Sequence, residues 1–177
     1  MNSVIELLRN RRSIRKYEDR PVEKEKIDTI LQAALMAPSS KRCTPWHFIV
    51  VTDKEKLSMM ANSRTMGSSF VANAAAAILV LAEEAKSDVW VEDASIAATL
   101  MMIEANDLGL GCCWVQVRNR QKDEQTTTEN YLRSFLHFPE NLKAECMIAL
   151  GYKAEEKKPF DDEHILKDRV HFNDFQL

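Results

Sequence analysis

The stretch Glu92–Leu108 narrows the possible folds more than any other part of the chain. Ala, Leu and Met dominate it, and neither Pro nor Gly interrupts it. A segment this apolar around its circumference predicts the most buried helix of the protein, ended by Gly109 just past its last turn. The strand candidate Cys112–Val117 follows almost at once.

The remaining pattern fits the same architecture. Ser3 and Glu6 form a capping-box signal, and Val4, Leu7 and Leu8 give the first helix an apolar stripe. Pro21 opens a second helical pattern with Ile27, Ile30, Leu31, Ala34 and Leu35 on one face, stopping before Pro38. His47–Thr52 reads as a strand, and Asp53 then caps a short helix through about Ala61. Ala77–Ala82 reads as a buried strand. Glu145–Leu150 is a further strand, preceded by a helix near Thr126–Leu136 that Pro139 terminates. Helices followed by interleaved strands and helices predict an α+β sandwich with one central mixed sheet of about four strands.

The 177 residues suit a single domain over residues 1–177, without repeats or a linker. The arm Lys153–Leu177 is polar, with scattered Phe160, Ile165, Leu166, Val170 and Phe172. It has too little apolar surface to fold alone, so it drapes over its own domain or wraps a partner.

Several functions are disfavoured by composition. A net charge of −3 gives no global field for nucleic acid or an anionic membrane. No apolar run reaches the roughly 18 residues of a membrane span, and Met1–Arg12 lacks a signal-peptide core. With only four glycines, neither GxGxxG nor a P-loop can be written. GxSxG, HExxH and CxxC are missing, and the four histidines lack metal-ligand spacing. Four cysteines without framework spacing read as reduced thiols in a cytoplasm.

Three segments carry chemistry. The run Arg11-Arg12-Ser13-Ile14-Arg15-Lys16 concentrates cations in an acidic protein, and guanidinium forks with a hydroxyl suit one phosphate monoester. Its alternative is a solvated helix end. Ala37–Trp46 holds two prolines and small hydroxyl residues in a stiff loop, or simply a turn. Leu108–Gln116 places two glycines between helix and strand, allowing close approach of a flat ligand, or merely a cap and a core strand.

Taken together, and in this order along the chain, these segments resemble the nitroreductase family of FMN enzymes. The shared features are Arg-Arg-Ser-x-Arg, Pro-Ser-Ser…Pro-Trp-His-Phe, Gly-Leu-Gly-x-Cys-Trp and Leu-Gly-Tyr…Glu-Lys-Lys-Pro, spanning roughly residues 4–160. The wording looks like a compact subgroup. The resemblance implies an intertwined homodimer with FMN between subunits and NAD(P)H as co-substrate. A small-molecule electron acceptor such as a nitroaromatic or quinone would follow in ping-pong order. It implies no catalytic side chain, because the chemistry lies at flavin N5. Arg11, Ser13 and the adjoining Arg12 match the phosphate and ribityl positions, and Arg15 matches a cation beside the flavin pyrimidine edge. Ser39, Ser40 and Arg42 match a loop reaching the flavin from the other subunit. Trp114, Val115 and Gln116 match the strand against the ring, and Lys158 with Lys157 a C-terminal phosphate ligand.

The chain also departs from the family pattern. Arg42 stands for Asn, Thr44 for Gln, Phe160 for a phosphate-binding Arg, and Val117 for a small residue beside the flavin, where it would narrow the cavity. If these changes close the acceptor site, the chain is instead a flavin-binding or storage protein. Vicinal Cys112 and Cys113 raise a third option, a cysteine-based redox protein. However, adjacent strand residues point to opposite faces, and buried structural thiols are the expectation for the cysteines, including Cys43 and Cys146.

Overall fold

The computed structural model describes residues 3–175. Helix α1 (Val4–Asn10) begins with the expected capping box: the Ser3 hydroxyl accepts the Glu6 amide, and the Glu6 carboxylate accepts the Ser3 amide at 2.8 Å. Helix α2 spans Lys24–Leu35. Strand β1 (Trp46–Val51) leads through Asp53, whose carboxylate caps the Lys56 amide, into α3 (Lys54–Ala61). Strand β2 (Ala76–Glu83), helix α4 (Trp90–Asp107) and strand β3 (Leu110–Gln116) follow. Helix α5 (Thr128–Leu136) then precedes strand β4 (Leu142–Tyr152). Gly109, at φ +79°, makes the left-handed turn from α4 into β3.

The strands lie in the order β1-β2-β4-β3. All three pairings are antiparallel, which corrects the mixed sheet expected from the element order. Helical insertions reverse the chain between β1 and β2 and between β3 and β4, so neighbouring strands run in opposite senses. Among the described residues the parallel pairing is a single bridge, Ser13 to Cys112.

Central β2 and β4 are buried on both faces, which accounts for their continuous apolar runs. One face packs under α2 and α4 through Ile30, Ala34, Ile78, Ala97, Ala98, Met101 and Ile148. The small Ala side chains of α4 let α2 approach closely. The other face packs against α3, α5 and the segment carrying Ile14 and Tyr17, through Leu57, Met60, Leu79, Leu132 and Met147. Helices therefore flank the sheet on both sides, as in the expected sandwich.

Not every apolar stripe is buried within one chain. Val4 and Leu8 of α1 are exposed, as is Leu35 at the end of α2, although periodicity alone placed all three inward. Residues Ile165, Leu166, Val170, Phe172 and Phe175 of the C-terminal arm are exposed as well. Gln176 and Leu177 of that arm lie outside the described residues. No helix among the described residues is long and apolar enough to cross a membrane.

Candidate functional site

After α1 ends, the chain crosses the start of β3 as an irregular segment. Ser13 bridges Cys112, and the Ile14 amide donates to the Cys112 carbonyl at 3.0 Å. The crossing depends on bare backbone: a Cβ built on Gly111 would lie 2.7 Å from Ile14 Cγ2. Gly151, paired with Gly111 across the ladder, leaves equivalent room beneath Tyr17. The Tyr17 hydroxyl donates to the Ile14 carbonyl at 2.7 Å, closing the segment on itself. From the far end of the chain, Glu155 accepts the Arg15 amide at 2.7 Å and the Lys16 amide at 3.3 Å. The Arg15 amide contact holds the Glu155 carboxyl below the usual carboxylate range.

This clamp gathers four of the expected site residues. Lys157 Nζ donates to the Ser13 carbonyl at 2.7 Å. Burial pushes the Cys113 thiol up, and Arg15, the Ser13 hydroxyl, Lys157 and Arg11 pull it only part of the way back. Cys113 thus lies beside a mostly cationic cradle, within which the Glu155 carboxylate pairs with Lys157 Nζ at 3.6 Å. Arg11 has no ion-pair partner among the described residues, and Arg15 lies 5.8 Å from the centre of the Phe70 ring. Arg12 sits at the rim, donating to the Lys158 carbonyl and facing the Phe160 ring at 5.9 Å. Lys158 is exposed and reaches the cluster through its carbonyl, so Lys157 is the lysine whose ammonium enters it. Arg9, in the last turn of α1, is committed elsewhere, to Asp162 at 2.5 Å.

Strand β3 is an edge of the sheet. Because the Cys112 carbonyl faces the free edge, alternation turns the amides of Trp114 and Gln116 the same way. The Trp114 and Gln116 side chains are half-buried, whereas Val115 is in the core. Val117 is also packed inside, its amide on the Glu145 carbonyl at 3.0 Å. Cys112 and Cys113 do face opposite sides, and all four cysteines are free. Cys112, Cys113 and Cys146 are buried, but Cys43 is only half-buried.

The structure does not bring Ser39, Ser40 and Arg42 to this cradle within one chain. Their loop precedes β1, at the opposite edge of the sheet. Asn106, near the end of α4, donates to the Leu7 carbonyl beside the cradle, whereas Asp93, in its early turns, accepts the Ser40 amide. Thirteen helical residues separate those anchors, about 20 Å at 1.5 Å per residue. The loop is conformationally demanding: Lys41, Arg42 and Thr44 all have positive φ (49°, 58° and 41°). The Ser39 hydroxyl steadies it by accepting the Thr44 amide at 2.9 Å.

Four participants escaped the sequence reading: Phe70, Asp93, Glu145 and Glu155. Asp93 alone carried a usable signal, a carboxylate on the apolar side of the most buried helix. Separately, a cavity of about 540 Å³ lies between α2 and β1, lined by Val22, Ile27, Leu31 and Val50. It shares Asp19 and Lys54 with a cavity of about 520 Å³ that Arg15, Lys16 and Tyr17 line.

An uncommitted guanidinium, a hydroxyl and an ammonium beside an open strand edge have the chemistry to hold a phosphate-bearing planar ligand, and FMN fits that donor set. A flanked antiparallel sheet with such an edge site is the arrangement of flavin-binding α+β sandwiches. The chain belongs to the nitroreductase family, whose profile matches residues 8–65 and 57–152. The FMN-dependent nitroreductase of Clostridium difficile R20291 superposes with a TM-score of 0.95 at 51% identity, covering 97% of this chain and 99% of that one. An Archaeoglobus fulgidus protein named "Putative NADH dehydrogenase/NAD(P)H nitroreductase" is 38% identical over 97% of this chain and 98% of its own length. A nitroreductase structure from Desulfovibrio desulfuricans, solved in complex with FMN, has a TM-score of 0.81 at 27% identity and covers 99% of both chains.

Proposed function

We propose that this chain is an FMN-dependent oxidoreductase, working as a homodimer that takes hydride from NAD(P)H and delivers it to a small aromatic acceptor. The observation that carries this reading is the crossing of the Arg11–Lys16 run over the free edge of β3, where Ser13 bridges Cys112, Lys157 Nζ reaches the Ser13 carbonyl at 2.7 Å and Glu155 holds the Arg15 amide at 2.7 Å. The names of the relatives, FMN-dependent and NAD(P)H-using, support it.

In this reading Arg11, Ser13 and Lys157 bind the phosphate, with Arg12 at the rim. Arg15 supplies positive charge at the ring edge, while the Trp114 and Gln116 amides orient the ring against β3. Bound FMN supplies the centre that accepts and returns two electrons as hydride. Ser39, Ser40 and Arg42 are too far from the cradle of their own chain, so they serve the cradle of a partner. The exposed apolar residues of α1 and of the C-terminal arm are the surfaces such a dimer would bury. NAD(P)H and a nitroaromatic or quinone then use one open surface in turn. Four free cysteines suit a reducing compartment, the cytoplasm.

The test is the visible spectrum and FMN content of the freshly purified protein, followed by NAD(P)H oxidation with a nitroaromatic or quinone. About one FMN per chain and acceptor-dependent oxidation are expected. A colourless protein that takes up no added FMN would overturn the reading, and tight FMN without turnover would make the chain a flavin store.

A further inference from the structure

Glu145 occupies a β-bulge. In the ladder between β2 and β4, Leu81 pairs with Ala144 and Val80 with Cys146, so Glu145 is the extra residue between them. Bulges re-aim a side chain, and this one directs a carboxyl group toward β3. Glu145 is only 4% exposed. Its Oε1 accepts Gln116 Nε2 at 2.9 Å, and Gln116 Oε1 in turn accepts the Trp114 indole N–H at 2.8 Å. Glu145 Oε2 is buried without a donor among the described residues.

We propose that Glu145 is a positioning residue for flavin binding: through Gln116 it fixes the Trp114 indole along β3 and keeps the strand-edge amides open. This rests on the FMN reading above. A carboxamide can present either its NH2 or its oxygen. Here the acceptors on one side are Glu145 Oε1, the Glu145 carbonyl at 3.0 Å and the Arg118 carbonyl at 3.4 Å. They select the NH2 and leave only the Gln116 oxygen for the indole. The Glu145 carbonyl already accepts the Val117 and Arg118 amides, each at 3.0 Å, so the side-chain oxygen is the less committed acceptor. Trp114 and Gln116 are two apart on one strand and share a face, so their bond lays both side chains along β3. A freed carboxamide could instead turn toward the edge amides that the ring needs. Keeping a buried carboxyl with one bare oxygen is costly, and an apolar residue would pack there at less cost. The carboxyl is therefore explained by what it accepts.

The experiment compares wild type with Glu145→Met, which keeps volume but removes the acceptor, and Glu145→Gln, which keeps an acceptor oxygen. The first readout is the ¹⁵N–¹H indole signal of Trp114 in FMN-free protein, assigned by its loss in Trp114→Phe. The second is FMN affinity by fluorescence titration. Glu145→Met should move the indole signal toward its solvent position and weaken FMN by about three- to tenfold, the scale of one lost hydrogen bond. Glu145→Gln should restore most of both. In the Gln116→Ala background, Glu145→Met should add no further loss. An unmoved indole signal in folded Glu145→Met, or additive losses in the double variant, would overturn the proposal. If the wild type takes up no FMN, the flavin reading fails and the binding role fails with it. An indole signal that still moves would then support the Glu145–Gln116–Trp114 coupling alone.

Discussion

The buried Asp93 carboxylate joins two segments of the chain: its Oδ1 accepts the Ser40 amide at 2.8 Å while its Oδ2 accepts the Ser87 hydroxyl at 2.7 Å. It ties the strained loop before β1 to the early turns of α4. Asp93→Ala leaves both donors without this acceptor, and the buried Ser87 hydroxyl alone then costs about 1–3 kcal/mol, the part-buried Ser40 amide less. Denaturant unfolding should register that loss, with Asp93→Asn milder because one acceptor oxygen remains. FMN retention should also fall, although no cradle residue is touched. Unchanged stability in Asp93→Ala would mean the tie is idle.

Arg9 and Arg11 lie two residues apart and are expected to behave differently. Arg9 is spent on Asp162, whereas Arg11, near Ser13, has no ion-pair partner among the described residues. Arg11→Ala should weaken FMN binding by roughly ten- to a hundredfold, the value of a charge-assisted hydrogen bond. Arg9→Ala should stay within about twofold, since exposed ion pairs contribute little. Equal affinities in a fluorescence titration would reduce the cradle to a solvated helix end.

Arg15 tests the electrostatic part of the proposal. Removing a cation beside the ring disfavours the electron-rich form, so Arg15→Ala should lower the flavin reduction potential as well as FMN affinity. Spectroelectrochemical titration reads the shift. An unchanged potential would place Arg15 away from the ring.

The vicinal thiols should be dispensable to turnover. Burial pushes Cys112 up from its ordinary 9.0 to about 12 and raises Cys113 as well. Little thiolate therefore exists near neutral pH, and Cys112→Ser/Cys113→Ser should leave flavin reduction and reoxidation within a few-fold in stopped-flow traces. The same shift has a sign for stability. A thiol whose pKa is raised by folding contributes fully below about 9, and the contribution is lost as pH rises through about 12. Urea melts across that window should show a shallower decline for Cys112→Ser than for wild type. A double variant that reduces normally but cannot be reoxidised by acceptor would revive a thiol relay.

Deleting residues 161–177 removes Ile165, Leu166, Val170, Phe172 and Phe175, which are exposed in the single chain. Sedimentation should then show monomer, and FMN should be lost because the Ser39–Arg42 loop no longer reaches a partner. A truncated protein that stays dimeric and yellow would assign the contact to α1 instead. In the intact enzyme, double-reciprocal plots against NAD(P)H and acceptor should be parallel, whereas intersecting lines would exclude alternating use of one surface.

Local chemistry makes much of the fold legible in the amino-acid order itself. Ser3 with Glu6, Asp53 and Gly109 each act on backbone groups within a few residues, so their signals are complete in the sequence. The cradle is legible as composition, in Arg11 to Arg15, but its closure by Lys157 and Glu155 depends on contacts some 140 residues away. Strand direction is misread because periodicity reports which face a side chain takes and says nothing about a neighbour's sense. Val4, Leu8 and Leu35 are placed inward for a related reason: an apolar stripe records that a face wants covering, not which chain covers it. Glu145 leaves no trace, since a bulge is a property of two strands together.

The crossing of residues 13–17 over Gly111 and Gly151 also sets an order of assembly. The cradle takes Arg11, Ser13 and Arg15 from before β3 and Lys157 from after β4. During synthesis these cations wait until β3, β4 and the segment carrying Lys157 have left the ribosome. Closing a loop of that length is slow compared with forming the local helices. Cofactor capture can therefore report that synthesis has passed Lys157: a product stalled earlier would hold the arginines and lack the residues that, in the proposed reading, complete the phosphate site.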